Sequence, residues 1–368
     1  MEWVVALSSK FPVSLVNERI ARLRQRPPRE ERFRAVDEKV AEMSKLGDVS
    51  VAIERADGSF RHLFTTGPLD PDSRFASGSV TKLFTHAIIF RLIDEGQLSY
   101  DTLIASRVPA GSLDGLHVIR GEDYGSELTV RHLIDHTSGL ASWEDTKDPG
   151  GRDVIDQIVD WDRVVSVDEQ METAARNGAK FPPGQGNRAH YSDLNAELLS
   201  QVAQHTTGRT YQELANHYII TPLEMEHTTF VRPGRHDYAE VRTDKHVVWS
   251  SRYLSSSLGS SGVISTAPDL LVFIRAFHTG RIFDHGHIQD PQLRRIQHRP
   301  LRYGSGMMAM GLPKILSPLV PAPLILGHTG VHGAFAFYCP SRSAFIAGSV
   351  NSIVTPPFEV IYRYLDAL

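Results

Sequence analysis

Hydrophobic and polar residues follow two different periodicities in the first part of the chain. Apolar side chains recur at helical spacing across residues 35–46, which predicts an amphipathic helix. Two short apolar runs follow, over residues 49–53 and 60–64, with Asp57 and Gly58 between them. An Asp-Gly pair between two such runs predicts a β-hairpin.

The middle of the chain reads as helical and rich in loops. A helix is predicted over residues 80–95, because Gly96 is well suited to end it. Across residues 97–225, a capping box opens a helix over residues 166–176. Apolar side chains then return to helical spacing over residues 191–207.

The last third mixes helices with strands. A helix is predicted over residues 267–277, and a final helix after Pro357. Apolar runs around residues 306–310, 334–338 and 344–350 have the length and composition of strands.

Strands at both ends of the chain and helices between them predict an α+β fold. We expect one antiparallel sheet, formed from the N- and C-terminal segments and flanked by helices. The expected α/β subdomain covers residues 30–96 and 226–368, and a mainly helical subdomain is inserted at residues 97–225.

The composition of the chain argues against nucleic-acid binding and against a membrane-spanning segment. The 368 residues are 41% hydrophobic and 22% charged, with a net charge of −4, so no general attraction to nucleic acid is expected. The N-terminus lacks a basic signal-peptide region, and no apolar run reaches the length of a membrane helix, which predicts a cytoplasmic protein. The single cysteine, Cys339, reads as a buried and inert thiol at the end of a strand.

Three short motifs contain residues suited to nucleophilic catalysis. In the first, Ser79 precedes Lys82 by three residues, so both side chains share one helix face and the amine can act as a base for the hydroxyl. The second is Tyr191-Ser192-Asp193, and the third is the triplet at residues 328–330, His-Thr-Gly. Taken alone, the first motif is better explained by a helix cap, the second by a packed tyrosine beside a capping residue, and the third by a surface histidine.

In combination and in this order, the motifs resemble the serine β-lactamase and penicillin-binding protein superfamily. The likeness is to its class C β-lactamase-like esterase and D-aminopeptidase branch, and it covers roughly residues 35–351. Further family-like segments lie around the three motifs, at residues 75–98, 128–140, 181–184, 207–208, 222–225 and 265–269.

This resemblance implies a role for each motif residue. Ser79 would be the acylated nucleophile, Lys82 its proton acceptor, and Tyr191 a second acid and base that protonates the leaving group. His328 would line the site, with Thr329 and Gly330 in the same substrate-binding strand. The backbone N–H groups of Ser79 and Val331 would form the oxyanion hole. No metal or cofactor is expected.

Two positions depart from the family pattern. Asp193 stands where the family usually has asparagine, and an ionised carboxylate accepts but does not donate hydrogen bonds. It could pair with Lys82, favour substrates with an N–H or ammonium group, or merely cap its helix. His328 stands where many true β-lactamases have lysine, which favours neutral esters or amides over β-lactams.

The predicted function is therefore that of a serine hydrolase acting on small esters or amides. The alternatives are an acyltransferase that uses an alcohol or amine acceptor, a weak β-lactamase, and, least favoured, a silent binding module. An α/β-hydrolase would need a Gly-x-Ser-x-Gly segment, which the sequence lacks. Zinc catalysis is disfavoured because the histidine-rich run at residues 284–287 lacks helical ligand spacing and reads as a solvated loop.

Overall fold

The computed structural model describes residues 27–43, 47–147, 150–152, 157, 160–243, 246–248, 250–311 and 322–368. Its strands are, in chain order, β1 Ser50–Arg55, β2 Arg61–Thr65, β3 Phe75–Ala76, β4 Val118–Ile119, β5 Glu122–Asp123, β6 Thr229–Phe230, β7 Val241–Arg242, β8 Val247–Val248, β9 Val263–Ser265, β10 Arg294–Arg295, β11 Arg302–Gly304, β12 Met307–Met310, β13 Ile325–Thr329, β14 Ala334–Cys339 and β15 Ala344–Ser349. Among these, eight form one antiparallel sheet in the order β10-β11-β12-β13-β14-β15-β1-β2.

Helices cover both faces of this sheet. They are α1 Arg29–Ala41, α2 Thr81–Asp94, α3 Val130–Ile134, α4 Val167–Asn177, α5 Asp193–Thr207, α6 Tyr211–Ala215, α7 Ser251–Ser256, α8 Ala267–His278 and α9 Phe358–Ala367. No helix in the described ranges is long and apolar enough to cross a membrane.

Strand β1 shows how the two ends of the chain share one core. It pairs with β2 on one side and with β15 on the other. Its residues alternate between the faces: Ala52 packs into the cluster that contains α2 and α8, whereas Val51 and Ile53 pack into the cluster that contains α1 and α9. The α+β fold, with its sheet built from both ends of the chain, is confirmed. The subdomain boundaries at residues 97 and 225 stay a prediction.

Local predictions hold with small differences in bounds. The Asp57–Gly58 turn connects β1 to β2, with Gly58 at φ +73°. The first helix, α1, lies further toward the N-terminus than predicted, and residue 46 and residues 1–26 fall outside the described residues. Of the predicted capping box, only half forms, because Ser166 accepts from the Glu169 N–H while the Glu169 carboxylate binds Arg163 instead.

Candidate active site

Ser79 lies where β3 turns into α2. The chain reverses at Gly78, whose φ of +50° suits glycine, and a single 3-10 turn, Gly78–Val80, leads into the helix. Ser79 is partly exposed while Gly78 and Val80 are buried. The hydroxyl is therefore accessible at a helix N-terminus, where backbone N–H groups lack intrahelical partners.

Lys82 lies one turn further along and is fully buried. Its Nζ donates to Ser79 Oγ at 2.8 Å, to Asp193 Oδ1, and to the backbone oxygen of Ser260 at 3.3 Å. These contacts occupy all three ammonium protons. The lysine is thus held in contact with the serine by two acceptors on other segments.

Asp193 is the first residue of α5, but it does not cap that helix. The residue is only 5% exposed, and its carboxylate forms an ion pair with Lys82. Residue Ser192 occupies the cap position and donates its Oγ to the backbone oxygen of Ala141 at 2.9 Å. The prediction that Asp193 merely caps its helix is therefore wrong, because its carboxylate pairs with Lys82 instead.

A second carboxyl group, from Glu144, lies against Asp193. Burial and the neighbouring Asp193 charge raise the pKa of Glu144 well above its usual value, and the hydrogen bond to Asp193 acts in the same direction. The Tyr253 hydroxyl donates to Glu144 Oε1. Glu144 therefore keeps its proton beside the Asp193 carboxylate, and hydrogen bonds run from Tyr253 through both acids and Lys82 to Ser79.

Tyr191 lies over this network. Its ring centroid is 5.2 Å from Lys82 Nζ, and its ring stacks on His136 at 4.7 Å. The Gln297 amide holds the Tyr191 backbone, accepting from its N–H at 2.8 Å and donating to its oxygen at 2.7 Å. Burial and the Asp193 charge raise the pKa of Tyr191, although its hydrogen bond with Ser79 opposes this. The resting phenol is therefore neutral.

His328 is a fully buried residue of the inner strand β13. Its Nδ1 lies 2.8 Å from the backbone oxygen of Thr329, so this nitrogen carries the proton and donates. Burial and the Lys82 charge lower the pKa of His328, which keeps the ring neutral. Nε2 is thus an acceptor, and it has no partner among the described residues.

The end of β13 lies directly against the turn that holds Ser79. A Cβ on Gly330 would come within 2.4 Å of the Ser77 backbone oxygen, so only glycine allows this approach. Thr329 supports the turn by donating its Oγ1 to the backbone oxygen of Ala334 at 3.0 Å. In the described part of the chain, the Val331 N–H has no acceptor. The Val331 N–H therefore remains available as a donor next to the Ser79 turn, since a Cβ on Gly78 would lie only 3.4 Å from the Val331 nitrogen.

Several residues of this site were not predicted from the sequence. Glu144 lies in a single 3-10 turn, Ser260 and Gln297 lie in loops, and no motif marks any of them. Tyr303 was also missed, although its ring lies 4.3 Å from His136 and 5.7 Å from His328. Asn195, two residues after Asp193, binds Ser138 and His136.

Two histidines of the segment at residues 128–140 support local structure. His136 accepts from the backbone N–H of Ser192 at 3.0 Å, and His132 completes the capping box of α3. Residues 284–286 are exposed, as expected of a solvated loop, whereas His287 stacks on Phe90 and binds Asp94. Within the described residues, no three histidine, cysteine or acidic side chains are grouped so that they could hold a metal ion.

Comparison with known proteins shows the family to which the chain belongs. The Beta-lactamase family model matches residues 36–368. The chain is 24% identical over 309 residues to D-alanyl-D-alanine-carboxypeptidase/endopeptidase AmpH of Escherichia coli K12, covering 79% of this chain and 76% of AmpH.

Solved structures show the same fold. The D-amino acid amidase of Ochrobactrum anthropi SV3 superimposes with a TM-score of 0.73 at 20% identity, over 93% of this chain and 98% of the amidase. EstCE1, described as a hydrolase with promiscuous acyltransferase activity, gives a TM-score of 0.70 at 16% identity, over 92% and 98%. The fold and the site define a β-lactamase-type protein. The chain belongs to the β-lactamase family.

Proposed function

We propose that this chain is a serine hydrolase that cleaves small carboxylic esters or amides through an acyl-enzyme on Ser79. The observation that supports this most directly is the 2.8 Å hydrogen bond between Ser79 Oγ and the buried Lys82 Nζ, backed by the Asp193 carboxylate. An accessible hydroxyl held by a base, which a third group orients, is the general arrangement of an activated nucleophile.

Acylation follows from these contacts. Lys82 first gives one proton to Asp193 and becomes a neutral amine. Ser79 Oγ then attacks the carbonyl carbon as its own proton passes to Lys82 Nζ. The tetrahedral oxyanion lies between the N–H groups of Ser79 and Val331. Tyr191 donates its phenol proton to the leaving group and is reprotonated from the lysine–aspartate pair. The proton released by Ser79 therefore ends on the leaving group, and the charges return to their resting state.

Deacylation distinguishes hydrolysis from acyl transfer. Water in the first case, and an alcohol or amine in the second, attacks the acyl carbon and gives a proton to Tyr191, as the phenol's own proton passes to the leaving Ser79 Oγ. The likeness to EstCE1, described as having promiscuous acyltransferase activity, supports transfer as the second candidate. Weak β-lactam turnover is the third, since the neutral His328 replaces a cation suited to a β-lactam carboxylate.

The reacting centre favours substrates that donate hydrogen bonds. The Asp193 carboxylate and the Nε2 of His328 accept hydrogen bonds, and Glu144 is a carboxylic acid that can lose its proton. Lys82, the cation of this site, already donates its protons to other acceptors. A substrate with an N–H or ammonium group beside the scissile bond fits this set. The names of two relatives, a D-amino acid amidase and a D-alanyl-D-alanine-carboxypeptidase, support amides and esters of D-amino acids as the first class to test.

Covalent labelling tests the proposal. A fluorophosphonate should add one mass adduct to the wild-type protein and to Ser77→Ala, a control whose side chain has no hydrogen-bond partner among the described residues. Ser79→Ala should remain unlabelled and lose several orders of magnitude in kcat for 4-nitrophenyl acetate. Labelling that persists in Ser79→Ala would show that Ser79 is not the nucleophile. A wild-type protein that is neither labelled nor active would favour the silent binding module.

A further inference from the structure

His332 is a buried histidine beside the reacting centre that no step of the proposed acylation uses. It is 2% exposed and follows Val331, whose nitrogen lies next to the Ser79 turn. Burial lowers the pKa of His332 from 6.5 to about 4, so the ring is neutral at neutral pH. A neutral ring acts on its surroundings through hydrogen bonds and packing rather than through charge.

Val331 and His332 are the two central residues of the β13–β14 turn, which spans residues 330–333. The Gly333 N–H donates to the Gly330 oxygen at 3.0 Å, and the Gly330 N–H donates to the Ala334 oxygen at 2.8 Å. The Gly330 oxygen and the Val331 N–H belong to one planar trans peptide group, so they point in opposite directions. The orientation of the whole turn therefore decides where the Val331 N–H points.

The His332 side chain attaches this turn to a distant part of the chain. Its Nε2 lies 2.7 Å from the Oγ of Ser250, which is itself 1% exposed. Ser250 directly precedes α7, and the backbone N–H groups of Arg252 and Tyr253 at the start of that helix both donate to the Asp162 carboxylate at 2.9 Å. The hydroxyl that meets His332 thus lies on an anchored segment, so the hydrogen bond fixes the tip of the turn.

The other edge of the His332 ring faces the turn that holds the nucleophile. A Cβ on Gly78 would lie 3.5 Å from His332 Nδ1, 3.4 Å from the Val331 nitrogen and 3.3 Å from Gly330 Cα. The ring therefore lies alongside Val331, directly against the residue that precedes Ser79. Within the described residues, Nδ1 has no hydrogen-bond partner, so the contact on this side is packing and the directional contact is the bond to Ser250.

We propose that His332 is a positioning residue of the oxyanion hole: its hydrogen bond to Ser250 holds the β13–β14 turn so that the Val331 N–H faces the substrate carbonyl oxygen at Ser79. This proposal rests on the proposed hydrolase function and assigns the residue that orients one of its donors. An apolar side chain at position 332 would release the tip of the turn and leave the buried Ser250 hydroxyl without this partner. Because an oxyanion donor must be aligned before the reaction, a small shift of the turn lowers the rate.

Turnover and inhibition together test this role. His332→Leu and Ser250→Ala each remove the hydrogen bond, and we expect kcat for 4-nitrophenyl acetate to fall about 10- to 100-fold with KM within a few-fold of wild type. In benzyl trifluoromethyl ketone, Ser79 Oγ adds to the carbonyl carbon, its proton passes to Lys82, and the carbonyl oxygen becomes an oxyanion. The Ki of this transition-state analogue should rise by the factor by which kcat falls.

Two further variants sharpen this test. His332→Gln places an amide where the histidine has Nε2, so it should restore most of kcat. The double variant of His332→Leu and Ser250→Ala should lose no more than either single variant, because both remove the same bond. Ser251→Ala is the matched control, since this neighbouring buried serine binds Gly234 and Asp162 rather than His332. It should keep the wild-type kcat and Ki.

The results that would overturn the proposal are distinct from a failure of the proposed function. Wild-type kcat and Ki in His332→Leu and Ser250→Ala would overturn the positioning role while hydrolysis at Ser79 stood, and so would a fall in kcat without a rise in Ki. Ser250→Ala, which removes a single oxygen, decides the matter if His332→Leu fails to fold. If the wild-type protein neither hydrolysed the ester nor bound the ketone, the proposed function would fail and the positioning role with it.

Discussion

Lys82 and Asp193 form a buried ion pair, and the same lysine nitrogen lies 2.8 Å from Ser79 Oγ. The three side chains come from two helices, because Ser79 and Lys82 lie at the start of α2 whereas Asp193 begins α5. Asparagine at position 193 would bind the lysine without accepting its proton. The carboxylate therefore gives this site a proton acceptor behind the lysine.

Replacing Asp193 by asparagine tests this role. Asp193→Asn keeps the size of the side chain but removes the group that takes the lysine proton during acylation. We expect kcat to fall by about 10²- to 10⁴-fold for esters and amides alike, the usual contribution of a positioned base. Stopped-flow acylation with 4-nitrophenyl acetate measures the step directly. A rate within a few-fold of wild type would show that the carboxylate serves only to pair the lysine.

Glu144 should control the preference for amines. A substrate ammonium can replace the Glu144 proton, so we expect Glu144→Gln to lower kcat/KM for D-phenylalanine 4-nitroanilide by about 10- to 100-fold. The N-acetylated analogue should change by only a few-fold. Glu127→Gln, at an exposed acid in another loop, is the matched control. Equal losses for both anilides would remove Glu144 from amine recognition and leave it in the proton network.

The close approach of Gly330 to Ser77 predicts a steric effect on the oxyanion hole. An alanine Cβ would lie 2.4 Å from the Ser77 oxygen and 3.2 Å from Gly78 Cα, and both neighbours are backbone atoms. Gly330→Ala must therefore displace β13 from the Ser79 turn, and with it the Val331 N–H. We expect kcat to fall about 10²- to 10³-fold, as for loss of one oxyanion donor.

Gly311, where an added Cβ would make no close contact with the described residues, provides a control for this result. A Cβ at Gly311 meets Leu324 atoms only at 3.7 Å and beyond, so Gly311→Ala should keep wild-type turnover of 4-nitrophenyl acetate. If Gly330→Ala turned over this ester as fast as Gly311→Ala does, the Val331 N–H would not stabilise the oxyanion.

The sequence predicts those parts of the structure that depend on residues close together along the chain. The spacing of Ser79 and Lys82 and the Asp57–Gly58 hairpin are local signals, and the structure reproduces them. By contrast, Lys82 meets Asp193 across 111 positions and Ser260 across 178. The hydrophobic periodicity of the sequence does not predict these long-range contacts, because they depend on how helices and loops pack on the sheet.

The site residues that could not be predicted from the sequence also depend on long-range packing. Glu144 lies in a single 3-10 turn, and Gln297 reaches Tyr191 from the turn between β10 and β11. Strand register has a similar effect, because Arg295 and Arg302 are seven positions apart but become direct neighbours in the hairpin of β10 and β11. Only the three-dimensional fold shows that these side chains converge.

The buried histidines predict how stability depends on pH. His86 is fully buried on α2, and its Nδ1 lies 2.8 Å from the backbone oxygen of Gly306. Burial, assisted by the Lys82 charge, lowers the pKa of His86 from 6.5 to about 3, although the hydrogen bond to Gly306 opposes the shift. The unfolded chain therefore binds a proton that the folded chain excludes across this pH range.

The free energy of unfolding should accordingly be highest above pH 6.5 and fall as the pH drops toward about 3. A single such histidine contributes a slope of at most about 1.4 kcal/mol per pH unit. His86→Gln retains a donor for the Gly306 oxygen but has no proton to gain. Urea unfolding of both proteins at a series of pH values should show a shallower acid loss in His86→Gln. Parallel curves for the two proteins would mean that His86 is not protonated on unfolding, and that other buried groups cause the acid sensitivity.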